Sequence, residues 1–294
     1  MRGFLVLLAV PLLALHSSFA LKHLEEPRWK SFRDAELESA EYLFITNETL
    51  ERYRANGYPD EPSVRKLIGA IIIGLNAADE KLNQVKDYVL SQYFLPNNVD
   101  CLYKQHTQEC LDQNVAPLDP SDRLGRAYQT FQCYYKNYGG IKDSVEWVPY
   151  HYSEVVQTLE DCMYITNTSN CSLRNYCQGG FAANPDYPNL AYCYFVRAGF
   201  YNRSAGFDLY KMYVQFGDEE FLHDNTEECI AGVVDQYCKE PDRLVHIVLD
   251  CVIQYLPVET IQEASSNVLG NPPECVVPPT PPPKTQPCYN APCP

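Results

Sequence analysis

Beyond its first twenty residues the chain has no apolar run that could cross a bilayer: the longest, Leu67 to Leu75, is about half the ~18 residues a span needs. Basic charge is also scarce, with 23 Lys and Arg against 38 Asp and Glu and a formal net charge of −15. That balance repels a phosphate backbone and leaves no cluster able to release its counterions, so nucleic acid is excluded as a partner. Sustained period-two alternation is missing, which argues against an extended sheet. Enzyme signatures are absent in the same way: there is no Gly-x-Ser-x-Gly elbow, no phosphate loop and no His-Glu-x-x-His. The histidines His23, His106, His151, His223 and His246 stand far apart, and Cys288-x4-Cys293 and Cys171-x5-Cys177 lack the tight spacing of a zinc site. No catalytic residue, cofactor or metal is expected.

What the chain has is cysteine, thirteen in 294 residues, too many for a reducing compartment. Arg2, an apolar core from Phe4 to Leu15, and small residues at Ser18 and Ala20 form a secretory signal over 1–20, predicting a secreted protein that starts at Leu21. Glycosylation acceptors at Asn47, Asn167, Asn170 and Asn202 agree with secretion. At the other end, residues 271–294 carry ten prolines with Cys275, Cys288 and Cys293, within an extended tail placed at 267–294. Its cysteines either fold back onto the preceding unit or tether another chain, so self-association is open.

The chain also matches itself. Tyr42-Leu43-Phe44-Ile45-Thr46-Asn47 aligns with Cys162-Met163-Tyr164-Ile165-Thr166-Asn167, which puts the Asn47 and Asn167 acceptors at equivalent positions. Leu50 and Tyr53 align with Leu173 and Tyr176, Gly74 with Gly199, and the Cys-x8-Cys pair Cys101/Cys110 with Cys229/Cys238. Two units follow, at 28–143 and 144–266. Their periodicity is helical: Val64, Leu67, Ile68, Ile71 and Ile72; Leu82, Val85, Val89 and Tyr93; and Leu244, Ile247, Val248, Cys251 and Tyr255 recur at three-to-four spacing. Thr46 and Asp242 are expected as helix N-caps. The predicted fold class is all-α, in two tandem units stapled by disulfides.

The segment Leu190-Ala191-Tyr192-Cys193-Tyr194-Phe195-Val196-Arg197-Ala198-Gly199-Phe200, followed by Gly206-Phe207-Asp208-Leu209, resembles the third-helix region of insect odorant-binding proteins (the PBP/GOBP family). Because the pattern recurs, the resemblance is to the two-unit, dimer-type mosquito branch, related to long salivary D7 proteins. It implies the pairs Cys193–Cys238 and Cys229–Cys251 in the second unit and Cys101–Cys133 in the first. Arg197 stands where the family has a further cysteine, so Cys162 lacks its usual partner and either Cys171 or Cys177 captures it. In the first unit the positions matching Cys162, Cys193 and Arg197 are Tyr42, Ile68 and Ile72, and Cys110 is left over.

The resemblance further implies helices converging on an apolar pocket that takes a small apolar or amphipathic ligand. Candidate lining residues in the second unit are Tyr192, Phe195, Phe200 and Phe207, then Tyr210, Tyr213, Phe216 and Phe221. In the first unit they are Ile68, Ile71, Ile72, Val89, Tyr93 and Phe94, with core packing the competing role for each. The functional expectation is a secreted carrier of an odorant, pheromone or lipid. The alternative is an extracellular matrix or eggshell protein crosslinked through cysteine or its 23 tyrosines.

Overall fold

A computed structural model describes residues 28–79, 82, 84–181, 184–237, 239–253 and 258–270. The signal segment, Cys238 and the cysteines of the tail lie outside the described residues. The chain divides into two compact units between Pro149 and Tyr150.

In unit 1, β1 (Trp29–Lys30) pairs antiparallel with β2 (Glu146–Trp147), tying the start of the unit to its end. Between them run α1 (Phe32–Tyr42), α2 (Asn47–Ala55), α3 (Pro62–Gly74), the short α4 (Asp87–Leu90), α5 (Tyr103–Asn114) and α6 (Arg123–Asn137). Each long helix starts for a local reason. Ser31 opens α1 with a capping box: Ser31 Oγ accepts from Asp34 N at 3.0 Å and Asp34 returns a carboxylate oxygen to Ser31 N at 3.0 Å. Thr46 caps α2 through Thr49 N, as its side chain predicts, and Pro62 sits at the first position of α3, where its missing N–H costs nothing. The isoleucine stripe of α3 is fully buried, at 0% exposure for Val64, Leu67, Ile68, Ile71 and Ile72. It packs on α1 and α6, and Phe32, Phe94 and Phe131 complete the core with ring centroids 5.7–6.4 Å apart.

The stripe Leu82, Val85, Val89 and Tyr93 is not one helix. Leu82 has a positive φ of 54°, Val85 bridges Ala78, and helix begins only at Asp87. Three-residue spacing here reflects one buried side of an irregular segment, which sequence periodicity cannot tell from a helix.

Unit 2 contains α7 (Tyr152–Ile165), α8 (Asn170–Cys177), α9 (Tyr187–Arg197), a hairpin of β3 (Tyr201–Asn202) and β4 (Gly206–Phe207), α10 (Leu209–Phe216), α11 (Asp224–Gln236), α12 (Asp242–Ile247) and α13 (Val258–Val268). The stripe from Leu244 continues past α12 through a wider π turn over Val248–Val252. Asp242 is the first residue of α12 and Pro241 occupies the cap; at that position its carboxylate still complements the helix dipole. α13 packs on α7 and α8.

The structure corrects the register of the repeat. Thr46 caps α2 and Ser169 caps α8, each accepting a hydrogen bond from the residue three on. Ahead of each cap the chain makes the same left-handed exit, at Phe44 (φ 57°) and Asn167 (φ 52°). The pattern returns where Asn76 (φ 49°) leaves α3 and Gly199 (φ 71°) leaves α9. Helix caps thus superpose Asn47 on Asn170, not on Asn167, and Asn76, not Gly74, on Gly199. In this register Cys162 falls on Ser39 and Cys193 on Ala70, not on Tyr42 and Ile68, while Arg197 falls on Gly74 rather than Ile72. Burial agrees: Ser39 is 1% exposed and Cys162 0%, whereas Tyr42 is 51% exposed.

Two of the three implied disulfides are different. Cys133 on α6 bonds Cys110 on α5, with Cα atoms 5.6 Å apart, and Cys101 is exposed and free. Cys193 bonds Cys162, tying α9 to α7 with Cα atoms 5.7 Å apart, so Cys193–Cys238 does not form and neither Cys171 nor Cys177 captures Cys162. Cys229–Cys251 is present at 5.8 Å. Cys171 and Cys177 are disulfide-bonded as well. The Cys-x8-Cys match is therefore a coincidence of spacing: Cys110 and Cys229 are the equivalent residues, each bonding the following helical segment across 23 and 22 positions. Cross-links follow which helix faces meet, and a bond closing a loop of this size is worth ~2–4 kcal/mol.

Candidate ligand cavity

α9 carries the wall of an apolar cavity in unit 2. Tyr187, Leu190, Ala191, Tyr194 and Phe195 recur at i, i+3, i+4, i+7 and i+8, a single helical stripe, and Pro188 stands in the first turn of that helix, where its missing N–H costs nothing. Leu159 of α7, Phe216 of α10, and Thr260 and Ile261 of α13 close the other sides. The enclosed space is about 30 Å³ and its walls are almost wholly apolar. The Cys162–Cys193 bond holds α7 against α9 and so fixes the separation of two of its walls.

Rings pack around this space: Tyr194 and Phe195 lie 5.2 Å apart and Phe195 and Phe207 5.4 Å, both edge to face, and Phe200 and Phe216 form a tilted pair 5.7 Å between centroids. Burial pushes the Tyr187 and Tyr194 phenols well above their usual range, so both stay neutral hydroxyls at any physiological pH. With Thr260 they are the polar side chains on the wall, and the site offers no charge to a ligand. Among the described residues no three His, Cys, Asp or Glu side chains come together as a metal site.

Of the residues singled out in sequence, Phe195 and Phe216 line this cavity. Phe200 and Phe221 lie behind it, both at 0% exposure. Tyr192, Phe207 and Tyr210 belong to shallow surface depressions around the β3–β4 hairpin, and Tyr213 is half-buried beside Tyr210. In unit 1, Ile68, Ile71, Ile72, Val89, Tyr93 and Phe94 are core residues of no more than 2% exposure. Leu159, Tyr187, Leu190, Ala191, Tyr194, Thr260 and Ile261 were missed. The α9 stripe could have been found from its period; the α13 residues could not, because only the packing of α13 on α7 brings them here.

The asparagines Asn47, Asn167, Asn170 and Asn202 are all exposed. Ser172, the hydroxyl residue of the Asn170 acceptor, is buried and donates to Asp186 at 2.6 Å. No described helix is long and apolar enough to cross a membrane.

Comparison with known proteins meets this architecture twice over. The chain is 28% identical to "General odorant-binding protein 69" of Anopheles gambiae over 207 residues, covering 67% of this chain and 87% of that protein. No solved structure matches. The comparisons lend no support to a crosslinked matrix role. The PBP/GOBP family pattern matches residues 22–137 and again 145–255, one match to each helical unit, and the chain therefore belongs to the PBP/GOBP family.

Proposed function

We propose that the protein is a secreted carrier that reversibly holds a small hydrophobic molecule in the unit 2 cavity and performs no catalysis on it. The observation that carries this reading is the enclosed apolar space against α9, whose walls hold neutral hydroxyls and no charged group. The name of the mosquito relative, a general odorant-binding protein, points the same way. Exclusion of water from such walls supplies the binding energy, at ~25 cal/mol per Å² of apolar surface covered.

At about 30 Å³ the cavity is well below the ~300–1,000 Å³ of typical ligand sites, so a guest enters by displacing wall side chains. Phe216 and Ile261 are the ones placed to yield, since both are half-buried while Leu190 and Phe195 lie within the core.

Titration of the full secreted chain with N-phenyl-1-naphthylamine, read by its fluorescence, tests this. Saturable binding is expected, weakened at least tenfold by Ile261→Trp, which fills the space from α13. Absence of saturable binding, or binding unaffected by Ile261→Trp in a chain of unchanged circular dichroism, overturns it.

A further inference from the structure

Unit 1 contains a second pocket of different chemistry. It opens between α5, α6 and the irregular segment before α4, and encloses about 220 Å³. Leu82, Val85, Leu111, Val115 and Ala127 give it apolar surface, and Arg126 enters it from α6. The Arg126 Nε–H is buried and has no hydrogen-bond partner. Nη1 of the same guanidinium donates one long bond, 3.4 Å, to the carbonyl of Leu118. A guanidinium carries five donors in a fixed fork suited to carboxylate, and a buried donor left unmet is a cost that native proteins rarely retain without a use.

The acidic side chains of the same pocket do not meet this need. Asp112 accepts from Gln108 Nε2 at 2.9 Å, one turn away on its own helix. Asp87 accepts from the Tyr134 hydroxyl, and burial pushes its carboxyl up against that bond. Neither forms an ion pair with Arg126.

We infer that this pocket of unit 1 is a binding site for a small aliphatic carboxylate, its oxygen accepting from Arg126 Nε and its chain lying on Leu82, Val85, Leu111 and Val115. Binding here is separate from the carrier role assigned to unit 2 and does not depend on it. The protein would then hold two ligands of unlike chemistry, one neutral and one anionic.

Sodium octanoate titrated calorimetrically into the full secreted chain tests the site, with 1-octanol and octylamine as probes of equal tail length. Octanoate is expected to bind the wild-type chain and, unchanged, the Ile261→Trp chain whose unit 2 cavity is filled. Arg126→Met should weaken it at least tenfold, and in the Ile261→Trp chain, where unit 2 no longer takes a neutral probe, octanol and octylamine should bind at least tenfold more weakly than octanoate. Ala116→Trp blocks the pocket from an exposed lining position and gives the same answer if Arg126→Met fails to fold. Failure of octanoate to bind, equal binding of octylamine, or full binding in folded Arg126→Met or Ala116→Trp overturns the assignment. Loss in Ile261→Trp with retention in Ala116→Trp also overturns it, by placing the carboxylate in unit 2 and leaving the carrier reading intact.

Discussion

Thr46 and Ser169 occupy the same place in the two units, each closing a left-handed turn and capping the helix that follows through the backbone N–H three residues on. The pairing sets the true register of the duplication, and in that register the Cys162–Cys193 bond of unit 2 is replaced in unit 1 by Ser39 and Ala70. Small residues stand where sulfur atoms meet, so the helices keep a close approach without the bond.

Restoring the bond is the direct test. Ser39→Cys combined with Ala70→Cys should form a disulfide on air oxidation, seen as a loss of two hydrogens in the intact mass, and raise the stability of unit 1 by ~2–4 kcal/mol. Tyr42→Cys with Ile68→Cys, the pairing that sequence alignment suggests, should not form one. The opposite result would show the register to be wrong.

Among the described residues Cys101 is an exposed free thiol, while Cys110 is bonded to Cys133. Iodoacetamide applied to the native, unreduced chain should therefore label the Cys101 peptide and leave Cys110 and Cys133 unmodified. Cys101→Ser should leave thermal stability within ~0.5 kcal/mol, as expected of a surface substitution. Cys110→Ser should cost ~2–4 kcal/mol. Label found on Cys110 in place of Cys101 would contradict the observed linkage.

Glu36 is 1% exposed and accepts from Tyr58 Oη at 2.8 Å, Arg33 Nη1 at 2.9 Å and Arg54 Nη2 at 2.6 Å. Burial pushes its carboxyl up, against the opposing pull of Tyr58 and Arg33, so the site depends on its partners to keep the charge in place. Glu36→Ala leaves the Tyr58 hydroxyl and the Nε and Nη2 donors of Arg54 without their acceptor, Arg54 keeping Glu51 through Nη1, and should destabilise unit 1 by ~3 kcal/mol in urea unfolding. The double change with Arg54→Leu should cost less than the two single changes added together. Strict additivity would show that the pair does not act as a unit.

Asp186 shows the opposite electrostatic balance. Burial pushes its carboxyl up, but hydrogen bonds from Ser172 Oγ, Ser169 N and Ser169 Oγ outweigh that and hold it below the ordinary aspartate value of 3.8. A folded value below the unfolded one means stability that is fully present above about pH 4 to 5 and lost as pH falls through the folded value. Asp186→Asn should therefore flatten the acid limb of the stability curve between about pH 5 and 2 relative to wild type. An unchanged limb would mean that Ser169 and Ser172 do not hold the charge.

Features that depend on neighbours along the chain were already set by the sequence. The helical class, the α3 stripe from Val64 to Ile72, the cap at Thr46 and the existence of two units all follow from local chemistry and period, and the Cys-Tyr motif near Cys193 was enough to suggest the family. Tertiary packing decided everything that depends on which faces meet. It chose Cys110 over Cys101 for Cys133 and Cys162 over Cys238 for Cys193, because a disulfide needs Cα atoms within about 7 Å and not a particular spacing in sequence. It broke the periodic run at Leu82 with a left-handed residue, and it sent six aliphatic and aromatic candidates of unit 1 into a filled core. It also brought α13 across α7 to close the cavity on α9 with Thr260 and Ile261. Hydrophobic burial is non-directional, so a sequence marks which residues leave water, and the packing of whole helices settles whether they surround a space or fill it.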